Sequence, residues 1–219
     1  MPTYLFQNIN DFFLNSLQNF PFTMFVCFAI FGVIFSQPTW SLLSAGLFLC
    51  YILTAVLQLI LGKVASLIPG MSELVNTNTE NISVCYPYST TAKGFTFPSQ
   101  WITQTSFLFS FIIHNSVQLA GKAGNKNLFE AYQRRLSRTQ ISILACICLL
   151  LIFVGLRIQS ECDTPLNAII SVLLGAGIGV AYWQILDICN TQLHSDILGI
   201  TRNMAPPNDN DEVSVVCTA

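Results

Sequence analysis

The chain has 219 residues, of which 53% are hydrophobic and only 9% charged, with a mean hydropathy of +0.58 and a formal charge of −2. A soluble domain carries charge at roughly a quarter of its positions, so this composition excludes a water-soluble enzyme and points to a membrane. Nine Lys and Arg against 11 Asp and Glu leave no basic surface able to neutralise a run of phosphates, which argues against nucleic-acid binding.

A bilayer core of ~30 Å needs about 20 apolar residues per crossing helix. The first segment, Tyr4 to Phe20, sets Tyr4, Leu5, Ile9, Phe12, Phe13, Leu17 and Phe20 at helical spacing among Asn, Gln and one Asp, and it either crosses the bilayer or lies along its surface. Residues 1–21 are therefore read as a separate N-terminal helix. It has no positively charged leader and no small-residue cleavage site, so it reads as retained. Five apolar stretches follow: Phe22 to Phe35, Leu42 to Gly62, Trp101 to Ala120, Ile141 to Leu156 and Leu166 to Leu186. They are separated by Pro38, by a polar stretch, by a basic stretch and by Pro165. The expected fold is an all-α polytopic bundle of five or six transmembrane helices over residues 22–188, with a cytoplasmic-side tail at 189–219.

Cytoplasmic loops of membrane proteins retain Lys and Arg. Lys122, Lys126, Arg134, Arg135 and Arg138, opposed only by Glu130, fall between the third and fourth stretches, so the 121–140 loop is expected inside. Leu128, Phe129, Tyr132 and Leu136 on one side of that loop suggest a short helix lying on the membrane surface. Threading from there puts the 63–98 loop and the Arg157 to Pro165 turn outside, and the C-terminus inside. The stretch Asn203 to Ala219, rich in Pro, Asn and Asp, reads as a disordered tail. Two features agree with this orientation. Asn81-Ile82-Ser83 is a glycosylation sequon on the outward side. Cys85 and Cys162 lie in the two outward loops, where an oxidising compartment permits a disulfide. The other span cysteines (Cys27, Cys50, Cys146, Cys148 and Cys189) read as small packing residues. No Cys/His ligand spacing is present, so no metal or cofactor is expected.

Four helix ends meet at the outward boundary. Lys63 ends one span, with Gly70 after six intervening residues. Pro98-Ser99-Gln100-Trp101 opens the next. Arg157 ends a third and is followed, after five and then three residues, by Asp163 and Asn167. In spacing, these three motifs resemble the type 2 phosphatidic acid phosphatase and haloperoxidase superfamily, whose membrane members carry K-x6-R-P, P-S-G-H and S-R-x5-H-x3-D on a six-helix bundle. The resemblance covers Leu42 to Leu186 and includes the small residues Ser171, Gly175 and Gly179. Lys63, Pro98, Ser99 and Arg157 match the family. Gly70 and Met71 replace its arginine and proline, Gln100 and Trp101 its glycine and histidine, Leu156 its serine, and Asp163 and Asn167 its nucleophilic histidine and supporting aspartate.

The resemblance implies a phosphate-binding site at Lys63, Ser99 and Arg157. A phosphate monoester needs cationic and N–H donors on its oxygens, together with a nucleophile and an acid. Both family histidines are absent. His114 follows Ser99 by about 22 Å along the same helix at 1.5 Å per residue, and His194 lies beyond the last span on the inner side. An aspartate nucleophile at Asp163 would bring negative charge against an anion. The expectation is a vestigial anion pocket in a protein that is not an enzyme. A lipid phosphatase with an atypical site and a channel or carrier are the alternatives. The plain reading of Lys63 and Arg157 is snorkelling at span ends, and that of Pro98-Ser99 is a helix start.

Thr103, Ser106, Ser110, His114 and Gln118 share one helical face, which suits either a conduction lining or hydrogen bonding between packed helices. The expected partners are the lipid bilayer, anionic lipid head groups, and membrane or capsid proteins, with no nucleic acid. The short Asn-rich and Phe-rich chain is similar to degenerate relatives in large DNA viruses with internal membranes, which would place it in a virion membrane.

Overall fold

The computed structural model describes residues 19–35, 38–65, 67, 97–122, 129–160 and 162–189. Among them every regular element is an α-helix: α1 Phe20–Ile34, α2 Pro38–Ala65, α3 Gln100–Lys122, α4 Phe129–Gln159 and α5 Pro165–Cys189. Gly70, Asn81, Cys85, His194, the tail and Tyr4 to Gln18 lie outside the described residues.

Proline opens several of these helices, because its ring presets the helical φ and its missing N–H would be unbonded in the first turn anyway. Pro38 and Pro165 are the first residues of α2 and α5, and Pro21 lies in the first turn of α1. At α5 the preceding Thr164 Oγ1 accepts the Asn167 N–H at 3.3 Å, a side-chain cap. At the end of α4 the Ser160 hydroxyl donates to the Leu156 carbonyl at 2.8 Å, and the Cys162 N–H to the Arg157 carbonyl at 3.1 Å. These bonds use carbonyls that the helix end leaves open.

Three stretches are long and apolar enough to cross a membrane: Thr39–Val64, Thr139–Gln159 and Pro165–Cys189. They are consistent with an integral membrane protein. The large side chains of α4 are mostly outward-facing, with Ile141, Leu144 and Leu151 each more than 60% exposed. In a bilayer that surface meets hydrocarbon. α3 is the opposite case. Its Ile102, Thr103, Thr105, Phe107 and Phe111 are almost wholly buried, because α2, α4 and α5 surround it. A helix covered by protein need not be apolar to sit in a membrane, provided its hydroxyls find carbonyls. Those of Thr103, Thr105 and Ser116 bond carbonyls four residues back at 2.7–2.8 Å.

The contacts fix the helix directions. α3 and α5 run parallel: Ser106 donates to the Val172 carbonyl at 2.8 Å, Ser110 to the Ala176 carbonyl at 3.0 Å, and Trp183 Nε1 to Asn115 Oδ1 at 3.2 Å. Gly175 and Gly179 allow this approach. A Cβ on Gly175 would overlap the Thr103 carbonyl oxygen, and one on Gly179 would come within 2.7 Å of that of Phe107. α2 runs antiparallel to α3, with Gln58 Nε2 donating to the Pro98 carbonyl at 2.7 Å at one end and Gly46 against Phe107 further along. α4 is also antiparallel to α3 and contributes Phe153, Val154 and Ile158 to a cluster with Trp101 and Ile102.

One expected element is different in the structure. From the sequence, a 121–140 loop carrying a short helix on the membrane surface is expected. Instead residues 129–140 are the first three turns of α4, continuous with the apolar stretch that follows. No Pro or Gly interrupts Phe129 to Val154, so nothing in the backbone breaks the helix where hydropathy changes.

Candidate functional site

Ser99, Arg157, Asp163 and Asn167 converge at one end of the bundle, called here the Ser99 end. Arg157 is in the last turn of α4, and its Nε donates to Asp163 Oδ2 at 2.9 Å. The pair is withdrawn from solvent, with the two side chains 7% and 0% exposed. The guanidinium carbon lies 5.3 Å from the centroid of the Trp101 ring, a cation–π distance. Trp101 thus packs against the arginine.

The network continues along α5. Asn167 Nδ2 donates to Asp163 Oδ1 at 3.3 Å, and its Oδ1 accepts the Ser171 hydroxyl at 3.1 Å. The Ser99 N–H, just before the first turn of α3, is shared between Asn167 Oδ1 at 2.9 Å and Ser171 Oγ at 2.7 Å. Asn167 and Ser171 are four apart on α5 and so lie on one face, with Asp163 in the turn just before it. Ser99 itself is fully buried, and its Oγ has no hydrogen-bond partner. Its hydroxyl is therefore not the group that joins α3 to α5; the backbone N–H is.

Chemically, the centre of this cluster is an ion pair. The arginine charge is neutralised at 2.9 Å by a carboxylate six residues on, and both oxygens of that carboxylate are engaged. Lys63 is exposed in the last turn of α2, five residues beyond the Gln58 bond to Pro98. His114 packs edge-on against Trp183 with centroids 4.6 Å apart, well along the bundle from Ser99. Cys162 is disulfide-bonded, and its partner lies outside the described residues. Among the described residues no group of three His, Cys, Asp or Glu side chains could hold a metal ion. An apolar groove of about 390 Å³ lies between α1 and α2, lined by residues such as Phe25, Ala29, Ser44 and Phe48.

Ser171 joins this network, although its sequence context suggests only a small residue for helix packing. The 163–167–171 spacing was the available signal. Gln58 gave none, because a glutamine near the end of an apolar helix has no local pattern that names its partner. Comparison of the chain with known protein families, with curated proteins and with solved structures found no match to any of them.

Proposed function

We propose that this chain is a catalytically degenerate, phosphatase-like integral membrane protein with a non-enzymatic, structural role in its membrane. One observation carries the reading. The positions that correspond in spacing to a phosphate-binding arginine and a nucleophile hold a buried Arg157–Asp163 ion pair. A dianionic phosphate at Arg157 would meet a carboxylate that is fully buried, six residues on, bonded to the arginine Nε and to Asn167. The same pair, with Asn167, Ser171 and the Ser99 N–H, ties α3, α4 and α5 together at one end. Loss of the histidines and gain of an internal ion pair are then one change, from a ligand site to a brace.

In this reading the Ser99 end faces the exterior or a lumen, and the Lys122 end, with the basic turns of α4 and the C-terminus, faces the cytoplasm. The disulfide at Cys162 suits an oxidising side, and the five basic residues between 122 and 138 suit the inner one. Anionic head groups would meet those basic turns on the inner side. The viral origin and a virion membrane rest on likeness of composition only.

The test is direct. Protein purified in detergent is assayed for phosphate release from phosphatidic acid and from soluble monoesters, with the expectation of no turnover above a detergent blank. Turnover that disappears in Asp163→Ala would establish an atypical phosphatase instead. A second reading, head-group binding at the Ser99 end, is favoured at Lys63, which is exposed there. Lys63→Ala should then weaken binding to phosphatidic acid vesicles in a salt-dependent way, and unchanged binding rejects it. A channel along the α3 stripe is disfavoured, since Ser106 and Ser110 bond α5 carbonyls across a contact with no room for a Cβ.

A further inference from the structure

α1 and α2 pack as a hairpin that is tight at one end and held apart at the other. Near the Ile34 end of α1, Gly32 lies against Ser41, where a Cβ on the glycine would overlap the serine hydroxyl oxygen. At the far end the Phe25 and Phe48 rings meet, with centroids 6.2 Å apart. Positions 25, 29 and 33 share one face of α1, and 41, 45 and 48 one face of α2. Between the two contacts these faces carry only small side chains, Ala29 opposite Ser44 and Ala45. The glycine brings the backbones together, the phenyl pair separates them, and the small residues leave the wedge between unfilled. That wedge is the apolar groove of about 390 Å³.

Its depth follows from the helix directions. Gln58 of α2 bonds Pro98 at the Ser99 end, so residues 41–48, on the other half of α2, lie toward the Lys122 end. From Ser41 to Phe48 the groove runs about 10 Å at 1.5 Å per residue, which fits within one leaflet, half of a ~30 Å hydrocarbon core. The rim is continuous with the outward surface of the hairpin: Val33 is 78% exposed and Phe48 55%, and Ile30, Leu49 and Ile52 extend that surface. The lining also limits what can occupy it. No charged residue occurs from Phe20 to Gly62, so an ionic partner has nothing to pair with. A helix of a second copy is about 10–12 Å across, and a stable protein interface takes about 20–30 residues a side, far more than line this groove. Left empty, the lining atoms lack dispersion partners, and an apolar cavity of about 150 Å³ is already large enough to take up benzene. A flexible hydrocarbon chain meets all of these limits, and the bilayer supplies one at that depth.

We propose that the α1–α2 groove binds one acyl chain of a membrane lipid from the leaflet at the Lys122 end. The chain lies over Ala29, Ser44 and Ala45, between Val33 at the turn and the Phe25–Phe48 ring pair that stops it deeper in the bilayer. It fills the wedge that the hairpin's own side chains leave, so the lipid acts as part of the α1–α2 packing. The site rests on α2 crossing a bilayer and not on any kinship with phosphatases.

The test uses the full chain, stripped of lipid in detergent micelles and titrated with phosphatidylcholine that carries a photoactivatable diazirine midway along one acyl chain. After illumination, the adducts are mapped by mass spectrometry of the digested protein. Adducts at Ala29, Val33 and Ala45 are expected to saturate near equimolar probe, whereas those at Leu144 and Leu151, on the exposed face of α4, keep rising. Ala45→Phe puts a ring into the groove and should reduce adducts at Ala29 and Val33 severalfold without changing those on α4. Gly155→Phe, at a position of α4 that meets nothing within 4 Å, should leave the groove adducts as they are. Groove adducts that rise in parallel with those on α4 overturn the proposal, and this titration of the native chain decides the matter even where Ala45→Phe does not fold. Adducts that persist in a folded Ala45→Phe protein overturn it too. So does Ala45→Cys that cross-links to a second chain in vesicles above the background of the native thiols, since the groove would then hold another copy.

Discussion

Asp163→Ala removes the carboxylate that neutralises Arg157, and the structure sets the size of the effect. Both side chains are buried, at 7% and 0% exposure, and joined at 2.9 Å. Breaking a buried pair by deleting one partner costs about 3–5 kcal/mol, because the remaining charge stays desolvated. For a chain of this length that corresponds to a fall in Tm of about 6–20 °C, at about 2–4 °C per kcal/mol. Removing both charges with groups of similar volume, as in Arg157→Met with Asp163→Leu, leaves no orphan and should restore most of the loss or exceed the native stability by about 1–4 kcal/mol. The assay is thermal unfolding in detergent, followed by tryptophan emission, since Trp101 packs on the guanidinium at 5.3 Å. Two results refute the reasoning: a single variant within about 0.5 kcal/mol of native, the range of an ordinary surface change, or a double variant less stable than the single.

The remaining predictions concern the α3–α5 seam. Gly175→Ala places a methyl on the Thr103 carbonyl oxygen and should cost about 1–3 kcal/mol by overpacking, whereas Gly177→Ala, which meets nothing within 4 Å, should gain up to about 1 kcal/mol from helix propensity. Equal effects from the two, measured by denaturant titration, would show that α5 does not pack as described. Ser106→Ala and Ser110→Ala should each lose only about 0.6 kcal/mol, the usual size of a hydrogen bond between membrane helices. A loss of ion flux in reconstituted vesicles would point instead to a conducting role. Asn115→Ala deprives Trp183 Nε1 of its acceptor at 3.2 Å and should cost about 1–3 kcal/mol, the penalty for an unsatisfied buried donor. Fluorescence-detected unfolding would register it.

Much of the architecture is legible because it is local. The apolar runs mark the helices, three of which are long and apolar enough to cross a membrane, Pro38 and Pro165 mark where helices begin, and Ser99, Arg157, Asp163 and Asn167 meet at helix ends of one bundle. The continuous α4 was less legible. Its first turns carry the charges that usually mark a loop, and helix continuity depends on backbone propensity, which a change in polarity does not disturb. α3 is the case where hydropathy alone says least: its Thr and Ser content lowers it, although it is the most enclosed helix of the five.

By itself the sequence determined a helical chain with apolar runs long enough to cross a membrane and the prolines at which α2 and α5 begin. These follow from composition and from periods of three or four residues, which any helix expresses without reference to its neighbours. Only the tertiary structure decided that Arg157 is neutralised by Asp163, that Ser171 shares the Ser99 N–H across 72 positions, and that Phe20 packs against Trp101, Phe109 and Phe153. Each is a meeting of groups on different helices, or around a turn. It is fixed by how ridges and small residues pack, and no local pattern of residues encodes which side chains will face each other there.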